Sequence, residues 1–200
     1  MEKRPDIRWF GVLDSTNSEL RRRLEGLDNL SVVAARRQTA GRGQGDHTWT
    51  SSPGRNLTFS ILLRFPSLPA SDILVITCII TLAIRDLLLD EGVEARIKWP
   101  NDIWVGDRKI CGILIENIMD GDSVARSIVG VGLNLNQTSW PEDIPNPVSL
   151  KLLTGKVYSS KRVLRRLHEK ISLRYAMSGE DGGRKALEEE FRRYMFTLPA

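Results

Sequence analysis

The chain has 200 residues, of which 41% are apolar and 27% are charged, and its formal net charge is +4. These are globular values, and the length suits one domain of ordinary size. The moderate excess of basic residues favours an anionic partner such as a nucleotide, without requiring nucleic acid. The cysteines, Cys78 and Cys111, and the histidines, His47 and His168, are too few and too widely separated for a disulfide framework or a zinc site.

The sequence gives no indication of export or membrane insertion. Residues 1–8 are polar and lack the apolar core of a signal peptide. Residues 73–84 are nearly all apolar, but Arg85, Asp86 and Asp90 cut the run short of a membrane span. We therefore expect a buried helix at this point, and a cytoplasmic protein.

The start of the chain predicts a strand followed by a helix. Residues 7–13 should form the strand, and the helix should run to about Leu24. Thr16 and Glu19 have the spacing of a capping box at the helix start. The Ser-Thr-Asn sequence at residues 15–17 can also hydrogen-bond the polar head group of a ligand, and the two roles are compatible.

A glycine-rich loop follows the second predicted strand, residues 30–35. It runs from Gln38 to Trp49 and reads Gln-Thr-Ala-Gly-Arg-Gly-Gln-Gly-Asp-His-Thr-Trp. Alternate glycines let the backbone approach a ligand and present amides to phosphate oxygens. Arg42 adds a permanent planar cation for phosphate or carboxylate, and Trp49 is a candidate to stack on the ligand. A flexible linker is the alternative, and the glycine spacing fits neither a dinucleotide fingerprint nor a Walker loop.

The middle of the chain predicts a strand and a long buried helix. Residues 56–64 alternate in part and read as the strand, which Pro66 and Pro69 are expected to break. Ser71 is expected to cap the helix, which should end near Gly92. The broad apolar surface of this helix needs a sheet to cover it, which predicts a layered α+β core.

The densest group of polar side chains lies at residues 97–103, Ile-Lys-Trp-Pro-Asn-Asp-Ile. Pro100 cannot donate to a sheet ladder, so the strand should stop there and turn. Lys98, Asn101 and Asp102 would then be grouped at the end of a sheet. A cation, an amide and a carboxylate on a rigid support suit an anionic substrate and a proton-transfer step. A solvated polar hairpin turn is the alternative.

A hairpin should follow over residues 104–115, with its tip at Gly106 and Asp107. Lys109 comes just after the tip, where it is either an exposed surface lysine or part of a phosphate-binding pair with Lys98.

The last part of the chain predicts one more strand and two helices. The strand covers residues 126–136, in which Gly130 and Gly132 project to the same face. That bare face admits either a ligand or the close approach of another backbone. Residues 160–177 and 184–194 have the apolar spacing of helices.

Four segments thus stand in one order: residues 15–17, the loop from 38 to 49, Lys-Trp-Pro-Asn-Asp at 98–102, and the glycine-bearing strand at 130–134. Together they resemble biotin protein ligase (biotin–acetyl-CoA-carboxylase ligase) over about residues 5–195. The resemblance implies an α+β fold with a mixed, largely antiparallel β-sheet and helices mainly on one face. It also implies that residues 1–200 form a single catalytic domain, lacking the N-terminal DNA-binding segment of some members and the small C-terminal β-barrel domain.

The family joins biotin and ATP into biotinyl-5'-AMP, releases pyrophosphate, and then transfers biotin to one lysine of a carrier domain. By resemblance, the catalytic residues are Arg42, Lys98, Asp102 and Lys109, with Asp102 accepting the proton of the carrier lysine. The biotin-binding residues implied are Ser15, Thr16, Asn17, Gln38, Arg42, Gly43, Gln44, Lys98, Gly112 and Gly130. The residues implied for ATP and the adenylate are Arg42, Trp49, Asn101, Lys109, Gly132 and Asn134. Mg²⁺ is expected to accompany ATP, with no protein ligand assigned.

The chain departs from the family in the loop, where many members carry further arginines. This sequence has Gln44, Gly45, Asp46 and His47 at those positions, so the adenylate is expected to be held more weakly or through other contacts. The expected partners are biotin, ATP and the biotin carboxyl carrier domain of a biotin-dependent carboxylase, with no nucleic acid and no membrane. The sequence does not fix the oligomeric state, and a homodimer is one option.

Two other functions fit parts of the sequence. A lipoate or octanoate protein ligase shares the implied fold and resembles the lysine-bearing segment, although the Gly-Arg-Gly-Gln loop favours biotin. A non-catalytic nucleic-acid binder would use the basic residues, but these are spread along the chain without interleaved aromatic residues.

Overall fold

The computed structural model describes residues 5–45 and 48–197. These fall into two compact units. The first comprises the described residues of 1–70 together with Ile113–Leu133, and the second comprises Ser71–Gly112 with the described residues of 134–200. Asp46 and His47, which the sequence analysis named as departures in the loop, lie outside the described residues.

Strands and helices follow one another along the described chain, with short 3-10 turns between some of them. The elements are β1 (Ile7–Leu13), α1 (Thr16–Arg22), β2 (Val32–Gln38), β3 (Leu57–Pro69), α2 (Leu74–Asp90), β4 (Arg96–Lys98), β5 (Asp102–Val105), β6 (Arg108–Asp120), β7 (Ser123–Leu133), α3 (Leu150–Thr154), α4 (Ser160–Ser178), α5 (Gly183–Tyr194) and β8 (Met195–Phe196).

In the first unit the hydrogen-bonded strand order is β1-β2-β3-β7-β6. Only the second half of β6 belongs to this unit. β1 runs parallel to β2, whereas β3 is antiparallel to both β2 and β7. The register between β3 and β7 places Thr58 opposite Gly132 and Ser60 opposite Gly130. Because side chains alternate across a strand, these four small residues lie on one face of the sheet, as two neighbouring cross-strand pairs.

The core of the first unit is formed where α1 packs on the strands. One cluster of buried residues there consists of Leu20, Leu27, Val33, Leu62 and Ile128, and the partly buried residues packed against it are Phe10, Leu13, Leu24 and Ile118. Arg64 donates through one guanidinium nitrogen to the carbonyl oxygens of Leu24 and Leu27, at 2.9 Å each, and so holds the turn that follows α1.

In the second unit the strand order is β6-β5-β4-β8. β4 and β5 are antiparallel, as are β5 and β6, whereas β8 is parallel to β4. β4 stops at Lys98 and the chain turns before β5, as predicted from Pro100. The predicted hairpin is also confirmed: Val105 pairs with Arg108, and Gly106 at the tip has a φ of 59°, which favours glycine. The mixed, largely antiparallel sheet agrees with the predicted fold class.

The helices of the second unit pack around α2, which has the apolar composition of a buried helix. Ile76, Ile80 and Ile84, one helical turn apart, are fully buried. α2 packs against α4 and α5, and the Arg174 guanidinium bridges Asp86 and Glu190 between these helices. Among the described residues, no helix is long and apolar enough to cross a membrane.

The predicted capping box at the start of α1 is wrong. The residue at the N-cap is Ser15, and no side chain caps the helix. Thr16 instead donates its backbone N–H to the Gln38 side chain, at 2.7 Å. The Glu19 carboxylate does not reach back to the helix start but accepts from Arg22 and Arg23. Tertiary partners thus replace the local cap.

The predicted cap of α2 by Ser71 is also wrong. Ser71 lies in a 3-10 turn before the helix, and its hydroxyl donates to the neighbouring Asp72 at 3.0 Å. The N-cap position is occupied by Ile73, so the preceding 3-10 turn leads directly into the helix.

Pro66 does not end the third strand, contrary to the prediction. β3 continues to Pro69, and its register against β7 shifts between Arg64 and Leu68. A proline needs no ladder partner at such an irregularity, which is why the strand tolerates it there.

Candidate functional site

The first group of predicted site residues lies where β1 passes into α1. Ser15, Thr16 and Asn17 are all buried there. Leu13, at the end of β1, pairs with Gln38, at the end of the parallel strand β2. The two ends are therefore adjacent, and the Thr16 hydroxyl and backbone N–H both lie within 3.0 Å of Gln38 Oε1. Parallel pairing, and not local sequence, is what brings Gln38 to this junction.

Asn17 is fixed by two partners on the neighbouring strands. Its Nδ2 donates to Glu116 Oε2 at 2.8 Å, and its Oδ1 accepts from Ser60 Oγ at 2.5 Å. Because an ionised carboxylate only accepts hydrogen bonds, Glu116 determines which end of the amide faces it. Ser60 Oγ also lies 2.8 Å from Thr16 Oγ1, so the hydroxyls extend the network toward Gln38.

Glu116 also holds the loop arginine. Arg42 Nη2 lies 2.9 Å from Glu116 Oε2, and Arg21 Nη2 lies 3.5 Å from the other oxygen, Oε1. One carboxylate thus connects Arg42 and Asn17, two residues predicted from separate segments of the sequence. Neither Glu116 nor Ser60 was predicted from the sequence as a site residue. The sequence signal that could have identified Glu116 is a carboxylate directly after three apolar residues, 113–115, of a predicted strand.

The loop that carries Arg42 is folded back on itself. Arg42 and Thr48 form an antiparallel bridge, and the Trp49 N–H donates to the Gly41 carbonyl at 3.1 Å. A Cβ atom at Gly41 would lie 2.3 Å from the Trp49 carbonyl oxygen, so this closure requires glycine. Gly43 is half-buried and Gln44 is exposed in this arrangement.

The bare face of β7 is filled by side chains of the same unit. A Cβ atom at Gly130 would lie 2.4 Å from Asn17 Oδ1, and one at Gly132 would lie 2.2 Å from Trp49 Cε2. The two glycines therefore admit the Asn17 amide and the Trp49 indole. The nearest atoms at both positions belong to side chains. The ligand contacts expected for Gly130 and Gly132 stay predictions.

The second group of predicted residues lies on the turn between β4 and β5. Lys98 and Asp102 are opposite each other in the strand register, and Asn101 lies on the turn between them. Lys109, from β6, reaches Asp102 with its Nζ 2.8 Å from Oδ2. Lys98 Nζ lies 5.1 Å from the centre of the Trp104 ring, within the range of a cation–π contact. The structure thus brings together Asp102 and Lys109 as an ion pair.

The remaining predicted residues of this unit support the same region. Asn134 is buried, and its side-chain amide donates to the Val148 carbonyl at 3.1 Å. The Lys109 backbone bonds to both Asn146 and Val148, which holds this loop against β6. Gly112 lies on β6, directly after Cys111. Burial, and then the nearby Asp102 carboxylate, raise the pKa of the Cys111 thiol.

The described residues do not build a cage of protein ligands for a metal. No group of three or more His, Cys, Asp and Glu side chains within residues 5–45 and 48–197 is arranged to hold an ion.

Residues 9–134 match the Biotin/lipoate A/B protein ligase family, which covers more than half of the chain. The chain belongs to this family. The biotin--[acetyl-CoA-carboxylase] ligase of Paracoccus denitrificans is 38% identical over 125 residues, which are 61% of this chain and 51% of that protein. The bifunctional ligase/repressor BirA of Escherichia coli is 36% identical over 138 residues, which are 68% of this chain and 42% of that protein. The chain thus spans about half, or less, of the length of these curated relatives.

A solved member of the family has the same fold. The biotin protein ligase from Aquifex aeolicus, in complex with biotin and ATP, superimposes with a TM-score of 0.79 at 28% sequence identity. The match covers 96% of this chain and 78% of that chain. The family resemblance stated from the four sequence segments is therefore confirmed, while the ligand contacts assigned to individual residues stay predictions.

Proposed function

We propose that the chain activates biotin with ATP to form biotinyl-5'-AMP, and transfers the biotinyl group to a lysine of a biotin carboxyl carrier domain. The observation that carries the proposal is the fold match over 96% of the chain to a family member in complex with biotin and ATP. The curated relatives named as biotin ligases support the same substrate.

The polar network of the first unit suits the ring system of biotin. Its ureido group has two N–H donors and one carbonyl acceptor. Hydroxyl and amide groups that can donate and accept are supplied by Thr16, Asn17 and Gln38. Hydrogen bonds within the protein already hold these groups in place. Ordered polar groups lose little freedom when a ligand binds, which favours affinity. Ser15, Gly43, Gln44, Gly112 and Gly130 are proposed to border biotin as well.

In the first half-reaction, a carboxylate oxygen of biotin attacks the α-phosphorus of ATP. The new bond is P–O, the bond between the α- and β-phosphates breaks, and pyrophosphate leaves. The phosphorus centre gains negative charge, so cationic side chains stabilise the transition state. We assign this role to Arg42, Lys98 and Lys109, and we assign further contacts with the nucleotide to the residues Trp49, Asn101, Gly132 and Asn134.

In the second half-reaction, the amine of the carrier lysine attacks the acyl carbon of the adenylate. An amide bond forms, AMP leaves, and the amine loses a proton. Asp102 is the proposed acceptor of that proton. Its ion pair with Lys109, with Nζ 2.8 Å from Oδ2, holds the carboxylate in a fixed position.

Mg²⁺ is proposed to enter with ATP. Magnesium usually keeps several waters and binds through substrate phosphates with only one or two carboxylates. The described residues offer no cluster of three metal ligands, which is compatible with that mode of binding. No step above depends on a protein ligand to the ion.

The test is to incubate the chain with ATP, Mg²⁺, labelled biotin and a biotin carboxyl carrier domain. We expect label to appear on one carrier lysine, and Lys98→Ala to lower the rate by about 100-fold or more, the typical cost of removing such a contact. Lys185→Ala is the matched control, because Lys185 is an exposed lysine on α5. Label transfer that requires neither ATP nor Lys98 would refute the proposal.

The same assay separates biotin from lipoate. The family description includes both acids, so labelled lipoate should be offered in parallel. Transfer of lipoate without transfer of biotin would mean that the chain acylates a carrier lysine as proposed, but that its substrate is lipoate.

A further inference from the structure

We propose that Glu116 is an internal counter-anion of the site, which occupies Arg42 until an anionic ligand group replaces it. The inference rests on the proposed function, because it requires Arg42 to receive the carboxylate of biotin or the phosphate of the adenylate. It adds a residue that determines how strongly the site distinguishes a charged ligand from a neutral one.

The geometry of Glu116 carries the inference. Its Oε2 accepts from Arg42 at 2.9 Å and from Asn17 at 2.8 Å, and its Oε1 lies 3.5 Å from Arg21 Nη2 as an ion pair. Arg42 lies in the glycine-rich loop, 74 positions from Glu116 in the sequence, and Asn17 lies 99 positions away. One side chain therefore joins two segments that the sequence assigned to the ligand site independently.

The accessibility of the pair allows exchange. The Arg42 side chain is 44% exposed, so a ligand can approach the guanidinium from solvent, whereas Glu116 is 21% exposed and is also held by Asn17. Glu25 and Arg126 provide a contrast within the same unit, because the Glu25 side chain is 82% exposed and its pair with Arg126 involves no predicted site residue.

Competition between two anions follows from this arrangement. A guanidinium satisfied by Glu116 must release or share that carboxylate before it binds another anion at full strength. The cost falls on a ligand with a negative charge and not on a neutral ligand of the same shape. Glu116 also orients the Asn17 amide, and that second effect falls equally on both kinds of ligand because both carry the same ring system.

The ratio of two affinities isolates the competition. Biotin and biotinamide, its uncharged carboxamide, should be titrated calorimetrically against the whole chain and against Glu116→Gln. Any change in the position of Asn17 affects both ligands and cancels in the ratio. Glu116→Gln should raise the preference for biotin over biotinamide by about fivefold, the factor that corresponds to ~1 kcal/mol for a partly exposed ion pair.

Two further variants complete the test. Glu25→Gln removes the same charge from a surface pair and should leave the ratio unchanged. In an Arg42→Ala background, Glu116→Gln should no longer change the ratio, because the shared guanidinium is gone. If Glu116→Gln leaves the ratio as it is in the unmodified chain, the inference is overturned while biotin binding stands. If the unmodified chain does not bind biotin at all, the proposed function fails and the inference falls with it.

Discussion

Gly132 provides a sharp test of the packing in the first unit. A Cβ atom at this position would lie 2.2 Å from Cε2, 2.4 Å from Cζ2 and 2.6 Å from Nε1 of the Trp49 indole. These distances are far below van der Waals contact, so Gly132→Ala must displace the ring or shift the backbone of β7. The three contact atoms belong to one rigid ring, so they can move only together.

The expected cost follows from two opposed effects. Inserting a methyl group into a packed region typically costs ~1–3 kcal/mol. Replacing glycine by alanine also restricts the unfolded chain, which stabilises the folded protein by ~0.4–1 kcal/mol. We therefore expect Gly132→Ala to lower the free energy of unfolding by about 1–2 kcal/mol, which corresponds to a fall in Tm of about 2–8 °C for a chain of this size.

The chain offers a matched control for the same substitution. Gly11 also lies on a strand, β1, but a Cβ atom there would meet no other atom within 4 Å. Gly11→Ala should raise the free energy of unfolding by about 0.4–1 kcal/mol, because it restricts the unfolded chain without a clash. Urea unfolding followed by circular dichroism measures both variants. In a Trp49→Ala background the Gly132→Ala penalty should disappear, and equal stability losses for Gly11→Ala and Gly132→Ala would refute the packing described here.

Three other predictions address the reaction, the thiols and acid stability. Asp102→Asn should slow transfer from preformed adenylate to the carrier by about 100-fold or more, measured by rapid quench, and unchanged transfer would exclude Asp102 as the base. Burial raises the pKa of Cys78 to about 12 and also raises that of Cys111, so neither thiol should react with a thiol reagent at about pH 8 until the protein unfolds. The hydrogen bond from Arg166 lowers the pKa of Glu91 from its ordinary 4.5, so this stabilisation is present above that pH and is lost as the pH falls below it. Glu91→Gln should flatten the dependence of Tm on pH between about pH 5 and pH 3, and an unchanged slope would contradict the assignment.

The sequence predicted the site best where the information was local. Pro100 ended a strand, and the residues around it placed Lys98 and Asp102 opposite each other. The hairpin tip at Gly106 then placed Lys109 on the next strand, from which it reaches Asp102. Each of these steps depends on neighbours within about a dozen positions, and short-range backbone rules are sufficient for them.

Contacts between distant segments escaped the sequence analysis. Glu116 is 74 positions from Arg42 and 99 from Asn17, and no local pattern predicts which strands become neighbours. The same limit explains the wrong cap at Thr16, since its backbone N–H is satisfied by Gln38 across a parallel strand pair.

The glycines of β7 show how a correct observation can leave its cause open. Gly130 and Gly132 do project to one face, as the alternation predicted. The sequence could not say what approaches that face, because the Asn17 amide comes from α1 and the Trp49 indole from the glycine-rich loop. Only the three-dimensional arrangement identifies the side chains that lie against the two glycines.

The proposed first half-reaction joins the carboxylate of biotin to the α-phosphate of ATP. Exchange of labelled pyrophosphate into ATP measures that step directly and needs no carrier protein. We expect exchange that depends on biotin, is not supported by lipoate, and is lost in Arg42→Ala and Lys98→Ala. Exchange that is independent of biotin, or its absence from a folded chain that is saturated with biotin, would contradict the account.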